Sequence, residues 1–118
     1  MAKIRWTSEA EKWLREIYDY IAQDNKNAAQ RVTTGIYKKA QILKDFPEIG
    51  YKYRSEPEGD IRILLFGHYR IAYLIRSKEL IDILGVFHGA MEIERYLKMM
   101  GEKGQVEGYE HQQRRGTP

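Results

Sequence analysis

The sequence contains no cysteine among its 118 residues. Disulfide frameworks, thiolate zinc sites, iron–sulfur clusters and cysteine nucleophiles all need that sulfur, so each is excluded. Long apolar runs are also missing. No stretch approaches the roughly 20 apolar residues that span a bilayer, and the charged start of the chain lacks the apolar core of a signal peptide. We therefore expect a cytoplasmic protein with no membrane partner.

Several catalytic motifs are absent as well. The sequence has no glycine-rich phosphate loop, no paired histidines at helical spacing and no nucleophile elbow. These absences argue against nucleotide hydrolysis, zinc-dependent hydrolysis and serine esterase chemistry. We expect neither a cofactor nor a metal site.

The residues that are present suffice for one folded domain. Hydrophobic residues make up 42% of the chain, and 20 Lys and Arg face 17 Asp and Glu, a net charge of only +3. A chain of this length and composition can bury its own core. The segment 101–118 has four glycines and no Ile, Leu, Phe or Trp. We therefore predict one domain over residues 1–100 and a flexible polar tail over 101–118.

The apolar periodicity in the first half predicts a strand and two helices. Residues 2–7 alternate as a short strand does, and Ser8 is expected to cap the first helix, whose apolar residues recur at spacings of three and four. After a polar turn at 24–27, a second amphipathic helix should end near Asp45 and Phe46, just before Pro47. Two helices joined by so short a loop form an antiparallel hairpin.

Three β-rich runs follow at 61–66, 69–76 and 80–88, after a segment at 48–60 that predicts a loop with a short edge strand. The gaps between the runs are too short for parallel crossovers, so the strands form an antiparallel meander. The order predicts an α+β fold in which two helices pack on one antiparallel sheet. A last short helix is predicted over residues 91–99.

One strand register would bring reactive side chains together. If residues 77–79 form a three-residue turn, Arg70 lies opposite Val86, and His88 is diagonally adjacent and close to His68. A two-residue turn would separate Arg70 from His88. Together, an arginine and a histidine can hold a phosphate and transfer a proton. Alternatively, the stem of Arg70 covers apolar surface and His88 bonds a turn.

A second candidate surface is basic and aromatic. It comprises Lys52, Arg54, Arg62, Arg70 and Arg76, interleaved with Tyr51, Tyr53 and Tyr69. Such composition is typical of RNA-binding surfaces. Three acidic residues, Glu56, Glu58 and Asp60, reduce the net charge of the segment 51–76 to +2, five cations against three anions. A solvated face of mixed charge, or a docking site for an acidic protein segment, is equally compatible with this pattern.

Six segments, taken in order, resemble the RelE/ParE toxin superfamily. They are WTSEA at 6–10, IYDYI at 17–21, AA at 28–29, FPEIG at 46–50, YRIAY at 69–73 and ILGVFHG at 83–89. The resemblance spans residues 2–97 and implies a helical hairpin on an antiparallel sheet. It also implies a prokaryotic toxin of a type II toxin–antitoxin module, neutralised by a small antitoxin that wraps around it.

The resemblance implies two alternative activities. RelE-like members cut messenger RNA on the ribosome, whereas ParE-like members poison DNA gyrase. The segments at 17–21 and 46–50 and the pair His88-Gly89 are closer to the ParE-like branch, in which no catalytic residues are expected. The residues expected to bind a partner are then Lys52, Arg54, Arg62, Arg70, Arg76 and His88.

Two other functions stay open. In a ribosome-dependent endoribonuclease, Arg70 matches the central-strand arginine of the family, His88 matches the strand-end histidine of the YoeB-like branch, and Glu56 is the candidate base. The third function is that of a non-toxic member that only binds an antitoxin. It is suggested by Met91, which stands where the ParE-like pattern has an arginine.

Overall fold

A computed structural model describes residues 2–89, which form two helices and five strands. In chain order these are β1 (Lys3–Trp6), α1 (Ser8–Ala22), α2 (Lys26–Gln41), a 3₁₀ turn at Ile42–Lys44, β2 (Tyr51–Glu56), β3 (Gly59–Phe66), β4 (Tyr69–Ser77) and β5 (Leu80–His88). The predicted α+β class, helical hairpin and antiparallel meander are confirmed. The helix predicted over 91–99, the tail predicted over 101–118 and Met91 lie outside the described residues.

The cap of α1 is Thr7, so the prediction of Ser8 is wrong. Thr7 keeps an extended backbone with ψ of 160°, and its Oγ1 accepts a hydrogen bond from the Ala10 amide at 3.1 Å. The same hydroxyl donates to the carbonyl oxygen of Ile83 at 2.8 Å. Ser8 already belongs to the helix. The sheet therefore decides which of two adjacent hydroxyl residues caps the helix, because only Thr7 is held beside β5.

The start of α2 lies inside the predicted turn at 24–27. Asn25 is the cap, since its Oδ1 accepts from the Ala28 amide at 2.9 Å, and the helix begins at the next residue. Ala29, Ile36 and Ala40 form its buried stripe. The helix gives way to the 3₁₀ turn before Pro47, as the proline predicts. No helix within residues 2–89 is long and apolar enough to cross a membrane.

The sheet has the order β1-β5-β4-β3-β2. Strands β2 to β5 are antiparallel neighbours, whereas β1 pairs with β5 in parallel. The predicted loop at 48–60 is largely strand, because β2 extends to Glu56 and β3 begins at Gly59. Gly59 has φ of +147°, and a Cβ there would overlap the carbonyl group of Ile75. Only glycine fits this turn between the two strands.

Apolar residues are buried on both faces of the sheet. The cluster that packs with the helices includes Ile36, Leu43, Ile71, Tyr73, Ile81, Ile83 and Val86. A second cluster comprises Ile61, Ile63, Ala72, Leu74, Leu84 and Phe87. Trp13 of α1 contacts both clusters, and its ring centroid lies 5.4 Å from that of Phe87. The helical hairpin is thereby fixed on β5, the strand whose end carries His88.

Of the two registers considered for β4 and β5, the structure has the one with the two-residue turn, which separates Arg70 from His88. Their turn has two residues, with Ser77 opposite Leu80, and the register shifts between Ala72 and Tyr73 as well as between Ile75 and Ser77. Arg70 consequently lies opposite Phe87, and His88 lies opposite Tyr69. The two shifts cancel before the pairing reaches Arg70, so the register there is the one that the two-residue turn sets. Arg70 and His88 therefore project from opposite faces of the sheet.

Candidate functional site

A cleft of about 350 Å³ lies at the end of the sheet where the β3–β4 turn meets the end of β5. It is lined by Leu65, Gly67, His68, Tyr69, Arg70, His88 and Gly89. The Gly89 amide donates to the carbonyl oxygen of His68 at 2.6 Å, which holds the turn against β5. Arg70 and His88 therefore border one cleft although they project from opposite faces, because both stand at the rim of the sheet.

Two imidazole rings stack in this cleft. The centroids of His68 and His88 are 6.1 Å apart with an interplanar angle of 15°, and Tyr69 meets His88 edge-on at 5.6 Å. The predicted proximity of His68 and His88 is confirmed, although in another register. The cleft therefore combines a guanidinium with two imidazoles, a set that can bind an anion.

Glu56 does not belong to this cleft. It lies opposite Gly59 at one end of β3, whereas Arg70 lies opposite Leu65 near the other end. Those two positions are six residue steps apart along the strand, which corresponds to about 20 Å. The Glu56 carboxylate instead forms an ion pair with Arg54 at 2.5 Å. The structure brings together two of the three candidate catalytic residues and leaves the candidate base remote from them.

The predicted basic surface is divided, and most of its cations have partners within the chain. Arg62 shares a face with Tyr73, whereas Arg70 shares the other face with Phe87, as their positions in the pairing show. The internal partners are Asp60 for Lys52 at 3.8 Å, Glu56 for Arg54, the carbonyl oxygens of Gly50 and Glu48 for Arg62, and Asp82 for Arg76. A continuous basic strip across the sheet therefore does not form.

Asp82 is a buried carboxylate that sequence reasoning did not single out. Its side chain is 2% exposed, and it forms ion pairs with Arg5 of β1 and Arg76 of β4. Burial acts to raise the pKa of Asp82, but the hydrogen bonds and charges of the two arginines outweigh burial and lower that pKa. The signal was available, since Asp82 interrupts an apolar run in β5.

Tyr73 and Arg62 anchor the loop at 47–50. The buried hydroxyl of Tyr73 accepts from the Gly50 amide at 3.0 Å and donates to the carbonyl oxygen of Pro47 at 2.7 Å. Burial raises the pKa of Tyr73, so the hydroxyl stays protonated and can donate. Gly50 fits tightly, because a Cβ there would lie 2.5 Å from the carbonyl oxygen of Ile63.

An exposed apolar patch borders this anchored loop. It consists of Phe46, Ile49 and Tyr51, which are 61%, 52% and 49% exposed. Strand β2 starts at Tyr51 and is the last strand of the sheet, so one of its edges is unpaired within residues 2–89. Exposed apolar residues beside an open strand edge are typical of a surface that receives an extended peptide.

An apolar groove of about 500 Å³, separate from the patch, lies between α1 and the end of the sheet. It is lined by Trp13, Glu16, Ile17, Tyr20, Ile21, Tyr69, Val86 and His88. Tyr20 is 76% exposed at its rim. His88 borders both this groove and the sheet-end cleft. Within residues 2–89, no three side chains of His, Asp or Glu cluster as a metal site would need.

Comparison with known proteins gives a family and a fold. The model of the ParE toxin of type II toxin–antitoxin systems matches residues 4–93. The chain is similar in structure to the chromosomal ParDE toxin–antitoxin system from P. aeruginosa, with 24% identity and a TM-score of 0.61 over 75% of this chain and 96% of that one. It is also similar to the toxin–antitoxin complex RelBE2 from Mycobacterium tuberculosis, with 23% identity and a TM-score of 0.56 over 74% and 96%. No curated protein sequence matches significantly.

Proposed function

Because the chain belongs to the ParE toxin family of type II toxin–antitoxin systems, we propose that it inhibits DNA gyrase by binding it and that a cognate antitoxin neutralises it. We choose binding over catalysis because of the position of Glu56. This candidate base lies about 20 Å along β3 from Arg70. The proposal places the protein in the cytoplasm, where gyrase acts.

Binding of gyrase needs a surface rather than a catalytic set. The apolar groove beside α1 is open and contains Trp13 and Tyr20, and aromatic side chains are the usual anchors of protein interfaces. His88 contributes to this groove as a contact residue. The sheet-end cleft could instead hold a phosphate with Arg70 and its two imidazoles, and that chemistry would be the basis of the alternative, a ribosome-dependent messenger RNA endonuclease.

The gyrase proposal is tested by parallel assays on the purified chain. We expect inhibition of supercoiling by gyrase and no cleavage of a translated message in primer extension. In cells that express the variants, Arg70→Ala should retain growth inhibition because Arg70 lies outside this groove, whereas Tyr20→Asp should reduce it by adding a charge to the groove. Arg15→Ala, an exposed cation elsewhere on α1, is the control. Message cleavage that either Arg70→Ala or His88→Ala abolishes would favour the nuclease instead.

We place the antitoxin on the patch of Phe46, Ile49 and Tyr51 and on the open edge of β2. An extended antitoxin segment can pair with the strand edge while its apolar side chains contact the patch. Ile49→Asp and Tyr51→Asp should each weaken antitoxin binding by at least tenfold in calorimetry, as expected for loss of an apolar anchor. Tyr20→Asp in the separate groove is the matched control, and a larger loss there than at the patch would contradict this placement.

If this chain is a non-toxic member that only binds an antitoxin, an expression test should give a different result. Inducible expression without the antitoxin should then cause no growth defect in a responsive host, while antitoxin binding persists. Growth arrest that co-expression of the neighbouring antitoxin gene relieves would support the toxin proposal and exclude this third function.

A further inference from the structure

The charges of the two helices are strongly unequal. The segment 26–44, which contains α2 and the 3₁₀ turn, has five cations and no acidic residue. Helix α1 has four acidic residues and two basic ones. We propose that the exposed face of α2 binds the phosphate backbone of double-stranded DNA without reading its sequence. The proposal rests on α2 alone and is independent of which cellular target the toxin inhibits.

The side chains on this face are those that contact phosphates. Asn27, Gln30, Arg31, Thr34 and Lys38 are all exposed and line one shallow depression together with Gly35. Arginine, lysine, amide and hydroxyl side chains make most protein contacts to DNA phosphates. Within residues 2–89, neither Arg31 nor Lys38 forms an ion pair, so both charges are available to a ligand.

The same face does not resemble a protein-binding site. Protein interfaces depend on buried aromatic or aliphatic anchors, and the residues that line the depression include none. Tyr37, the aromatic residue next to Lys38, is half-exposed but does not line the depression, and its ring stacks on Trp6 with centroids 5.7 Å apart. A depression lined without apolar anchors gains its affinity from charge, which favours a polyanion over a folded protein partner.

The spacing of the cations favours the DNA double helix over RNA. Arg31 and Lys38 are seven residues apart, which places them about 10 Å apart along the axis of α2. Two long cationic side chains at that separation can reach phosphates on both strands across the minor groove of B-DNA, which is about 6 Å wide. Double-stranded RNA has a wide minor groove, and single-stranded RNA is usually bound by stacking on aromatic side chains, none of which line the depression.

The inference is tested by fluorescence anisotropy with the full-length chain and a labelled DNA duplex of random sequence. We expect binding that weakens as salt rises from 50 to 200 mM. The double variant Arg31→Gln, Lys38→Gln should bind at least tenfold more weakly at 50 mM salt. The slope of log affinity against log salt should decrease by about two, since two phosphate contacts are lost.

The matched control is the double variant Lys12→Gln, Arg15→Gln on α1. Both of these residues are exposed, and their replacement changes the net charge of the chain by the same amount. Circular dichroism verifies that both double variants fold. The salt dependence of DNA binding by the unaltered chain is a second test, which needs no variant. An equal loss in the control would overturn the proposal, as would no binding at 50 mM salt or tighter binding of an RNA duplex or of poly-glutamate.

Discussion

Arg5 and Asp82 are joined by two hydrogen bonds, from Nε to Oδ1 at 2.7 Å and from the second terminal nitrogen to Oδ2 at 3.1 Å. The two residues are 77 positions apart in sequence and lie directly opposite each other in the parallel pairing of β1 with β5. Arg76 of β4 donates to the same carboxylate. One buried carboxylate thereby links three adjacent strands and fixes the edge strand β1.

Removal of this carboxylate charge should destabilise the fold. Asp82→Asn replaces an anion that accepts from two guanidinium groups with a neutral amide, and hydrogen bonds to charged groups contribute about 1.5–3 kcal/mol each. The arginines can still be hydrated, so we expect a loss of about 2 kcal/mol in the free energy of unfolding, within the range for such a bond. Urea denaturation measures this loss of free energy. Asp60→Asn, in an exposed pair with Lys52, should change stability by less than about 1 kcal/mol.

The contribution of Asp82 to the stability of the fold should decrease as the pH falls. Its pKa is lower in the folded chain than in the unfolded chain, so the unfolded chain takes up the proton first as the pH falls. The stabilisation is complete at neutral pH and is lost below about pH 4, near the ordinary pKa of aspartate. The difference in urea midpoint between the unaltered chain and Asp82→Asn should therefore narrow between pH 5 and pH 3. A constant difference over that range would show that charge is not the source of the stabilisation.

Removal of the Tyr73 hydroxyl should loosen the loop at 47–50. Tyr73→Phe leaves the buried amide of Gly50 and the carbonyl of Pro47 without this partner, and a buried group left without its bond costs about 1–3 kcal/mol. We expect destabilisation of that size and faster hydrogen exchange at Gly50. Tyr20→Phe is the control, because Tyr20 is 76% exposed and should tolerate the change. Unaltered exchange at Gly50 in Tyr73→Phe would mean that Arg62 alone holds the loop.

The cap of α1 gives a direct comparison of two adjacent residues. Thr7→Ala removes the acceptor of the Ala10 amide and the donor to Ile83, so it should destabilise the chain by about 1–2 kcal/mol. Ser8→Ala should change stability by less than about 0.5 kcal/mol, because alanine is a good helix former and Ser8 does not provide the cap. Thermal unfolding of the two variants measures both effects. A larger loss for Ser8→Ala would contradict the capping geometry.

The element order could be predicted because each element carries a local signal. The spacing of three and four in α1, Pro47 after α2 and the alternation in β4 each depend on a few neighbouring residues. The segment before β3 was harder, because its glycines and prolines indicated a loop while Gly59 in fact permits a tight turn between two strands. The parallel pairing of β1 also has no local signal, since its partner lies 77 residues away.

The same holds for the candidate site: its local features could be predicted from the sequence, and its long-range arrangement could not. The sequence identified Arg70 and His88 as reactive residues and associated His68 with His88, and the family resemblance pointed to a toxin. It could not place Glu56, because its distance from Arg70 depends on the length of β3. Asp82 was also missed, although its place in an apolar strand was a signal that it needed a partner.

The sequence by itself determined the class of the fold, the order of its elements and the family, since these depend on periodicity, turn residues and motifs in a fixed order. Only the tertiary structure decided which side chains share a site. The turn between β4 and β5 has two residues, and the two register shifts that follow cancel each other, so this turn sets the register at Arg70. The sequence allowed a turn of two or of three residues, and packing across the whole sheet selects one of them, so only the folded chain could place Arg70 and His88 on opposite faces.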